Sequence, residues 1–290
     1  MSSSAFFLAT ILLLAGSINC EGGSNQDLLD ELNVKIMGQG KNTVVLSHGY
    51  ATDQSVWHKI LPFLEKKVKV ISFDLQFAGA VNPAKFNYSR YKSYDGYADD
   101  LLLILEELKV DKCVYLGHSM SAMIGSIASI KKPSLFEKLI YLGGSPRYLN
   151  APGYQGGFEQ TAVDQLLQFM KSNYTGFAST FAPMAVGAEF PGAVEEFKKT
   201  ILAMNHKVAV FVAKQVFESD YRGILSHVKV PVVIIQSKKD IVAPVFVSEY
   251  LRTHLGGKTF VELLPTEGHL PQLSAPDLLI KALNHFFLIK

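Results

Sequence analysis

A serine hydroxyl becomes a useful nucleophile only when a base takes its proton and a carboxylate orients that base. Three residues of this chain have the types and order for such a relay. Ser119 lies at the centre of Gly117-His118-Ser119-Met120-Ser121, which follows the GxSxG pattern of a strand-to-helix nucleophile elbow with serine in the last position. Small residues are needed there because the turn is tight. The acid and the base come later, in the order that pattern requires. Asp240 follows the apolar run Val230–Gln236 through Ser237-Lys238-Lys239, and His269 lies in Glu267-Gly268-His269-Leu270-Pro271 just after a second apolar run, Thr259–Leu264. The plain structural alternatives are a helix cap for Asp240 and a packed loop histidine for His269. Acyl transfer also needs donors aimed at the developing oxyanion. Ser47-His48-Gly49-Tyr50 predicts one from the Tyr50 N–H, where the alternative is an ordinary tight turn, and the Met120 N–H predicts the other.

Residues so far apart in sequence meet only if a scaffold gathers them. From about Val34 onward, strand and helix patterns alternate, the signature of an open α/β sheet. Strands are predicted at Thr43–Ser47, Val68–Phe73, Lys112–Leu116, Leu139–Leu142, Val230–Gln236 and Thr259–Leu264. Tyr97–Leu108 has apolar residues at helical spacing with its acids on the other face, and Ala122–Ile130 is predicted as the helix after the elbow. The stretch between the strands at 142 and 230 is too long for a simple crossover, and its pattern is helical and aromatic. It predicts a helical cap inserted over the sheet, at about 158–222, within one hydrolase domain spanning 33–290.

Composition narrows the function. The chain is 48% apolar and 19% charged, a globular balance that argues against disorder, and its net charge of +2 comes from scattered bases that leave no footprint for nucleic acid. The two cysteines, Cys20 and Cys113, cannot form a metal site, and no cofactor is expected. Residues 1–25 form a hydrophobic leader. Its apolar run, Ala5–Gly16, is too short to span a bilayer, which takes roughly 20 residues. It suits the core of a signal peptide, with Ala15 and Ser17 near a cleavage site and two downstream sequons, Asn87-Tyr88-Ser89 and Asn173-Tyr174-Thr175. Met1–Ser4 lacks the usual positive charge, so a disordered extension is the other reading. Of the remaining histidines, His58, His206, His227, His254 and His285 are expected on surfaces, and His118 is expected to help hold the elbow.

Several longer runs carry more information than the relay. His48-Gly49-Tyr50-Ala51-Thr52-Asp53-Gln54-Ser55-Val56-Trp57, the elbow with Ala122-Met123-Ile124-Gly125, Ser145-Pro146-Arg147-Tyr148-Leu149-Asn150, Tyr154–Gln160, Phe181-Ala182-Pro183 with Ala185-Val186-Gly187, and Gly268–Leu273 together resemble the strigolactone and karrikin receptor-like α/β-hydrolases of plants. The resemblance covers about residues 33–285. Met120, where the better-known receptors have valine, makes the chain most similar to the DWARF14-LIKE2 branch.

The resemblance implies an α/β-hydrolase fold whose four-helix, V-shaped cap covers a hydrophobic pocket for a butenolide-type ligand. The serine would open the butenolide ester, and the histidine could retain a fragment. Carried over residue by residue, the pocket would be Tyr50, Phe158, Leu166, Phe177, Phe181, Phe197, Phe217, Ile241 and Val242, with core packing as the alternative for each aromatic. Tyr50 stands where the family commonly has phenylalanine, which adds a hydroxyl to the pocket mouth. F-box and repressor partners in cytoplasm and nucleus are implied too, whereas the leader would favour the secretory pathway. The expected function is therefore slow hydrolysis coupled to signalling. The alternatives are a plain serine carboxylesterase and a binder with a vestigial relay. Dehalogenase and epoxide-hydrolase chemistry are disfavoured because they use an aspartate at the elbow.

Overall fold

The computed structural model describes residues 25–288; the apolar run Ala5–Gly16, with Ala15, Ser17 and Cys20, lies outside them. Seven strands form one sheet: β1 Lys35–Met37, β2 Thr43–Ser47, β3 Lys69–Phe73, β4 Cys113–His118, β5 Phe136–Leu142, β6 Val232–Lys239 and β7 Thr259–Glu267. Their spatial order is β1-β3-β2-β4-β5-β6-β7, with β1 antiparallel to β3 and every other pair parallel. The helices are α1 Asn25–Glu31, α2 Leu61–Leu64, α3 Asp95–Glu107, α4 Ser121–Lys131, α5 Gln160–Ser172, α6 Tyr174–Val186, α7 Pro191–Ala203, α8 His206–Phe217, α9 Val245–His254, α10 Pro271–Ser274 and α11 Pro276–Leu288.

Parallel strands covered on both faces need apolar residues at nearly every position rather than at alternate ones. β4 is buried throughout and β2 almost so, which is why both are visible as short apolar runs. Pro231 has no N–H to give a ladder, so β6 starts at Val232. The run Lys-Ile-Met of β1 is half exposed and too short to carry a pattern. It was not expected, and it caps the sheet edge as the one antiparallel strand. Ahead of residue 33 the described residues include α1, which packs on α3, and Leu29 and Leu32 enter the core. In α3 the expected separation of faces fails at Asp100. This acid is buried, and it is held there by Arg90 and by the Tyr91 hydroxyl at 2.8 Å.

Strand order decides where chemistry can collect. β2 and β4 are neighbours, and the chain proceeds outward from them in opposite directions, so the loops at their carboxyl ends part and leave a crevice. The turn after β2 carries Gly49 and Tyr50, and the turn after β4 carries Ser119. Over this end, between β5 and β6, the chain inserts α5–α8: α6 packs on α5 and α7, and α5 also on α8.

Helix α4 must approach the sheet closely to start straight from the elbow. A Cβ on Gly125 would sit 2.3 Å from Cε1 of Tyr115, whose buried ring is fixed by a hydroxyl bond to the Ser121 carbonyl at 2.9 Å. Alanine normally favours a helix interior over glycine, but here overpacking prevails. Gly125→Ala is expected to lower unfolding free energy by about 1–3 kcal/mol, read from denaturant unfolding curves.

Candidate active site

The elbow is strained in the way its pattern demands. Ser119 has φ +58°, in the left-handed region that non-glycine residues avoid, and the Ser119 N–H is tied to the Leu142 carbonyl at 2.9 Å. Ser121, in place of the final glycine, does more than fit. Its hydroxyl donates to the His48 carbonyl and accepts from Ser47 Oγ at 3.0 Å, which fastens the two turns together. Gly49 completes the contact: a Cβ there would be 2.6 Å from His118 Nδ1 and 2.9 Å from Ser119 Cβ.

The base and the acid arrive on the next loops. His269 Nε2 lies 2.8 Å from Ser119 Oγ, and its Nδ1 lies 2.8 Å from Asp240 Oδ2. A register shift between β6 and β7 at Ser237/Lys239 ends the ladder just before Asp240 and swings that residue toward the crevice. Asp240 Oδ1 accepts the N–H groups of Val242 at 2.8 Å and Ala243 at 3.0 Å, while Oδ2 also accepts Gln236 Nε2 at 2.9 Å. Burial works against a carboxylate here. Electrostatic attraction and a hydrogen bond from His269, with the donors from Ala243 and Gln236, nonetheless hold the Asp240 pKa below the ordinary carboxylate value. An ionised Asp240 requires the proton of His269 on Nδ1, so Nε2 accepts the Ser119 hydroxyl proton. Ser119, His269 and Asp240 thus form a continuous relay from the hydroxyl in the crevice to the buried charge.

A profile of the alpha/beta hydrolase fold family matches residues 42–276. The chain is 50% identical over 261 residues to strigolactone esterase D14 of Arabidopsis thaliana, covering 90% of this chain and 98% of that one. It is 52% identical over 252 residues to Karrikin insensitive 2 receptor CA of Petunia hybrida, covering 87% and 93%. The chain belongs to the strigolactone and karrikin receptor-like α/β-hydrolases. Among solved structures, a hydrolase from Oleispira antarctica superposes with a TM-score of 0.88 at 34% identity, covering 92% of this chain and 98% of that one.

In this family member the N–H groups of Tyr50 and Met120 have no hydrogen-bond partner among the described residues, although both residues are buried. Buried donors left open beside a hydroxyl are what an oxyanion site needs. The aromatic residues fall into two groups. Phe177, Phe181 and Phe197 make one, with ring centroids 5.2 Å apart for the first pair and 6.2 Å for the second. Phe158 and Phe217, 5.1 Å apart, make the other, and it reaches the serine through Tyr148. Leu166 is half-buried and Val242 buried. Ile241 stands outside both groups, 48% exposed, because Asp240 gathers the N–H groups of Val242 and Ala243 and turns Val242 inward and Ile241 out. The Tyr50 hydroxyl, expected at a pocket mouth, is instead bonded to the Ala209 carbonyl of α8 at 2.9 Å.

Two residues that sequence reasoning assigned no role touch the relay. Tyr148 Oη is 3.1 Å from Ser119 Oγ. Ser119 gives its own proton to His269, so Tyr148 is the donor, and burial raises its pKa and keeps it protonated. Gln236 was visible as an amide ending an apolar strand, a buried polar group that needs partners. Among the described residues there is no group of three or more acids, histidines or cysteines placed to hold a metal ion, and no helix is long and apolar enough to cross a membrane. Cys113 is a free, buried thiol. The five histidines expected on surfaces are exposed.

His118 holds the base rather than the elbow: its Nε2–H donates to the His269 carbonyl at 2.9 Å. Its Nδ1 is buried with no partner among the described residues. Burial, and then repulsion between two neighbouring imidazoles, lowers its pKa to about 3. A group whose folded pKa lies below its unfolded value stabilises the fold above the unfolded pKa, and that contribution fades as pH falls toward the folded one. Thermal stability should therefore rise from pH 4 to about 6.5, the unfolded histidine value, and level off above it. His118→Gln keeps a donor for His269 but removes the titration. It should lower the slope of unfolding free energy in that window by about 1.4 kcal/mol per pH unit, measured by unfolding at a series of pH values.

Proposed function

We propose that this protein is a receptor-hydrolase for a butenolide-type small molecule, in which Ser119 is the nucleophile, His269 the base and Asp240 the residue that orients it. The observation that carries this reading is the assembled relay, buried beneath α5–α8, in a chain half identical to a strigolactone esterase over nine-tenths of its length. Ser119 Oγ attacks the ester carbonyl as its proton passes to His269 Nε2. The carbonyl oxygen becomes an oxyanion facing the N–H groups of Tyr50 and Met120. When the tetrahedral centre collapses, the acyl C–O bond breaks and His269 returns the proton to the departing oxygen. Water then repeats the sequence on the acyl-serine and frees Ser119, unless His269 Nε2 attacks the acyl carbon first: the Oγ–acyl bond then breaks, the serine leaves as its alcohol, the ring gives up its Nδ1 proton, and the fragment stays on His269.

Tyr50, Phe158, Leu166, Phe177, Phe181, Phe197, Phe217 and Val242 are the proposed apolar surroundings of the ligand, with Ile241 at the outer surface. Ser119 is only 6% exposed, so ligand must pass the inserted helices, which supports slow turnover. The signalling half of the proposal is that ligand engagement reshapes these helices and so recruits an F-box protein and a repressor, in cytoplasm and nucleus. An uncleaved leader in cell fractions would agree with that location; its loss with glycan on Asn87 or Asn173 would point to secretion.

A time course with a synthetic strigolactone, reading product and intact protein mass together, tests the chemistry. A slow burst near one turnover is expected, with a mass increase on His269 that requires Ser119. Ser119→Ala should lose hydrolysis by about 10³-fold or more while still unfolding in one cooperative transition, because it removes one hydroxyl and leaves the turn's backbone bond to Leu142 in place. Retained turnover in that variant removes Ser119 as nucleophile. Fast multiple turnover without an adduct means a plain esterase, and an F-box pull-down that no butenolide alters counts against the receptor role.

A further inference from the structure

We propose that Thr200 and the phenol of Tyr50 are positioning residues for hydrolysis: they clamp the turn bearing the Tyr50 N–H to α7 and α8, so that the oxyanion site is complete only while those helices are seated. This rests on the reading of the Tyr50 N–H as an oxyanion donor.

The turn after β2 is held from two sides. On the sheet side, the Leu75 N–H donates to His48 Nε2 at 2.8 Å, which puts the ring proton on Nδ1, and that N–H donates to the Gly49 carbonyl at 2.9 Å. The Thr52 hydroxyl donates to the same carbonyl at 2.9 Å. Because a trans peptide points its N–H opposite its carbonyl, fixing the Gly49 carbonyl sets the direction of the Tyr50 N–H. On the helix side, the residue that follows is Ala51, whose φ of +65° is disfavoured for any side chain. Its carbonyl accepts the Thr200 hydroxyl of α7 at 2.8 Å, and the Tyr50 phenol donates to the Ala209 carbonyl of α8 at 2.9 Å. The strained residue beside the donor is thus held in place by groups that belong to the inserted helices.

Thr200 is built to let go. Its one hydroxyl proton lies between two acceptors, the Ala51 carbonyl and the carbonyl of Phe197 on its own helix, each at 2.8 Å. If α7 lifts, the hydroxyl keeps a partner and is not stranded, while Ala51 loses its hold and is free to relax. A third tie reaches the other reacting loop. The Ala185 carbonyl, in the last turn of α6 where no helical N–H follows, accepts the His269 N–H at 2.6 Å. Three of the four inserted helices therefore each give one polar contact to a loop of the reacting centre. A ligand that shifts them weakens hydrolysis without touching the relay.

The test compares Thr200→Val, Thr200→Ser and Tyr50→Phe with Thr180→Val, which removes a helix hydroxyl bonded only to Gly176. Steady-state kinetics on p-nitrophenyl acetate are read beside the affinity for phenylboronic acid, which forms a tetrahedral adduct on a reactive serine. Thr200→Val is expected to lower kcat about two- to tenfold, the effect of one neutral hydrogen bond, with KM nearly unchanged. Boronate affinity should fall in proportion, and Thr200→Ser should restore both. Should Thr200→Val fail to fold, Tyr50→Phe reads the same coupling with the ring retained. Unchanged kcat in Thr200→Val or, where that variant does not fold, in Tyr50→Phe overturns the proposal. So does a fall in kcat without loss of boronate affinity, or an equal fall in Thr180→Val. If Ser119→Ala still hydrolyses the ester, the underlying reading of the site has failed instead.

Discussion

Everything at this site depends on one unfavourable backbone conformation, the left-handed turn at Ser119. Holding a non-glycine residue there costs on the order of 1–3 kcal/mol, and the surroundings must enforce it. The Leu142 carbonyl on β5 holds the Ser119 N–H, the Ser121 hydroxyl reaches the His48 carbonyl across the crevice, and the Tyr115 hydroxyl holds the Ser121 carbonyl from below. Gly49 and Gly125 matter because any side chain on them would enter this packing. The strain raises the serine hydroxyl above the sheet, within reach of a base carried on a loop 150 residues later in the chain. The same bonds bring the turn after β2 against the elbow, so nucleophile and proposed oxyanion donor are placed by one set of contacts.

The second demand is a buried negative charge. A carboxylate offers about four lone-pair sites, and Asp240 has four donors: His269 Nδ1, the N–H groups of Val242 and Ala243, and Gln236 Nε2. Only one of these is the base. The other three keep the carboxylate ionised and immobile, which makes the histidine tautomer a consequence of how β6 ends. Gln236 is itself anchored by donating to the Ala243 carbonyl, so the turn after the strand and the charge it holds stabilise each other.

How much of this was legible in the sequence follows from where each signal resides. The buried parallel strands announced themselves as apolar runs, and Ser119, Asp240 and His269 were marked by residue type at the ends of those runs. β1 carried no such pattern, because it is a short, half-exposed edge. Asp100 was assigned to a solvent face because helical periodicity cannot see Arg90 and Tyr91 folding back to cover it. Tyr148 was visible only as part of a family-like run, and its hydroxyl's approach to Ser119 depends on the path between β5 and α5. Ile241 and Val242 were both carried into the pocket by the family resemblance, and a turn around Asp240 separates them.

The contacts hardest to read are those from the inserted helices, for a physical reason. Ala185 and Ala209 act through carbonyls, which every residue possesses, and Ala51 receives through one. Such groups leave no trace in residue type, so an inserted element that looks in sequence like an apolar cover is also a polar scaffold for the loops beneath it. Each bond is neutral and contributes about 0.5–1.5 kcal/mol. Three of them sum to a few kcal/mol, the same order as the preference a ligand needs to shift a two-state equilibrium. Helices fixed by much stronger contacts would give a rigid esterase, and helices without these contacts would leave the strained turn at Ala51 unsupported. On the proposed reading, holding the loops of the site with a few weak bonds lets it hydrolyse a ligand and also respond to it.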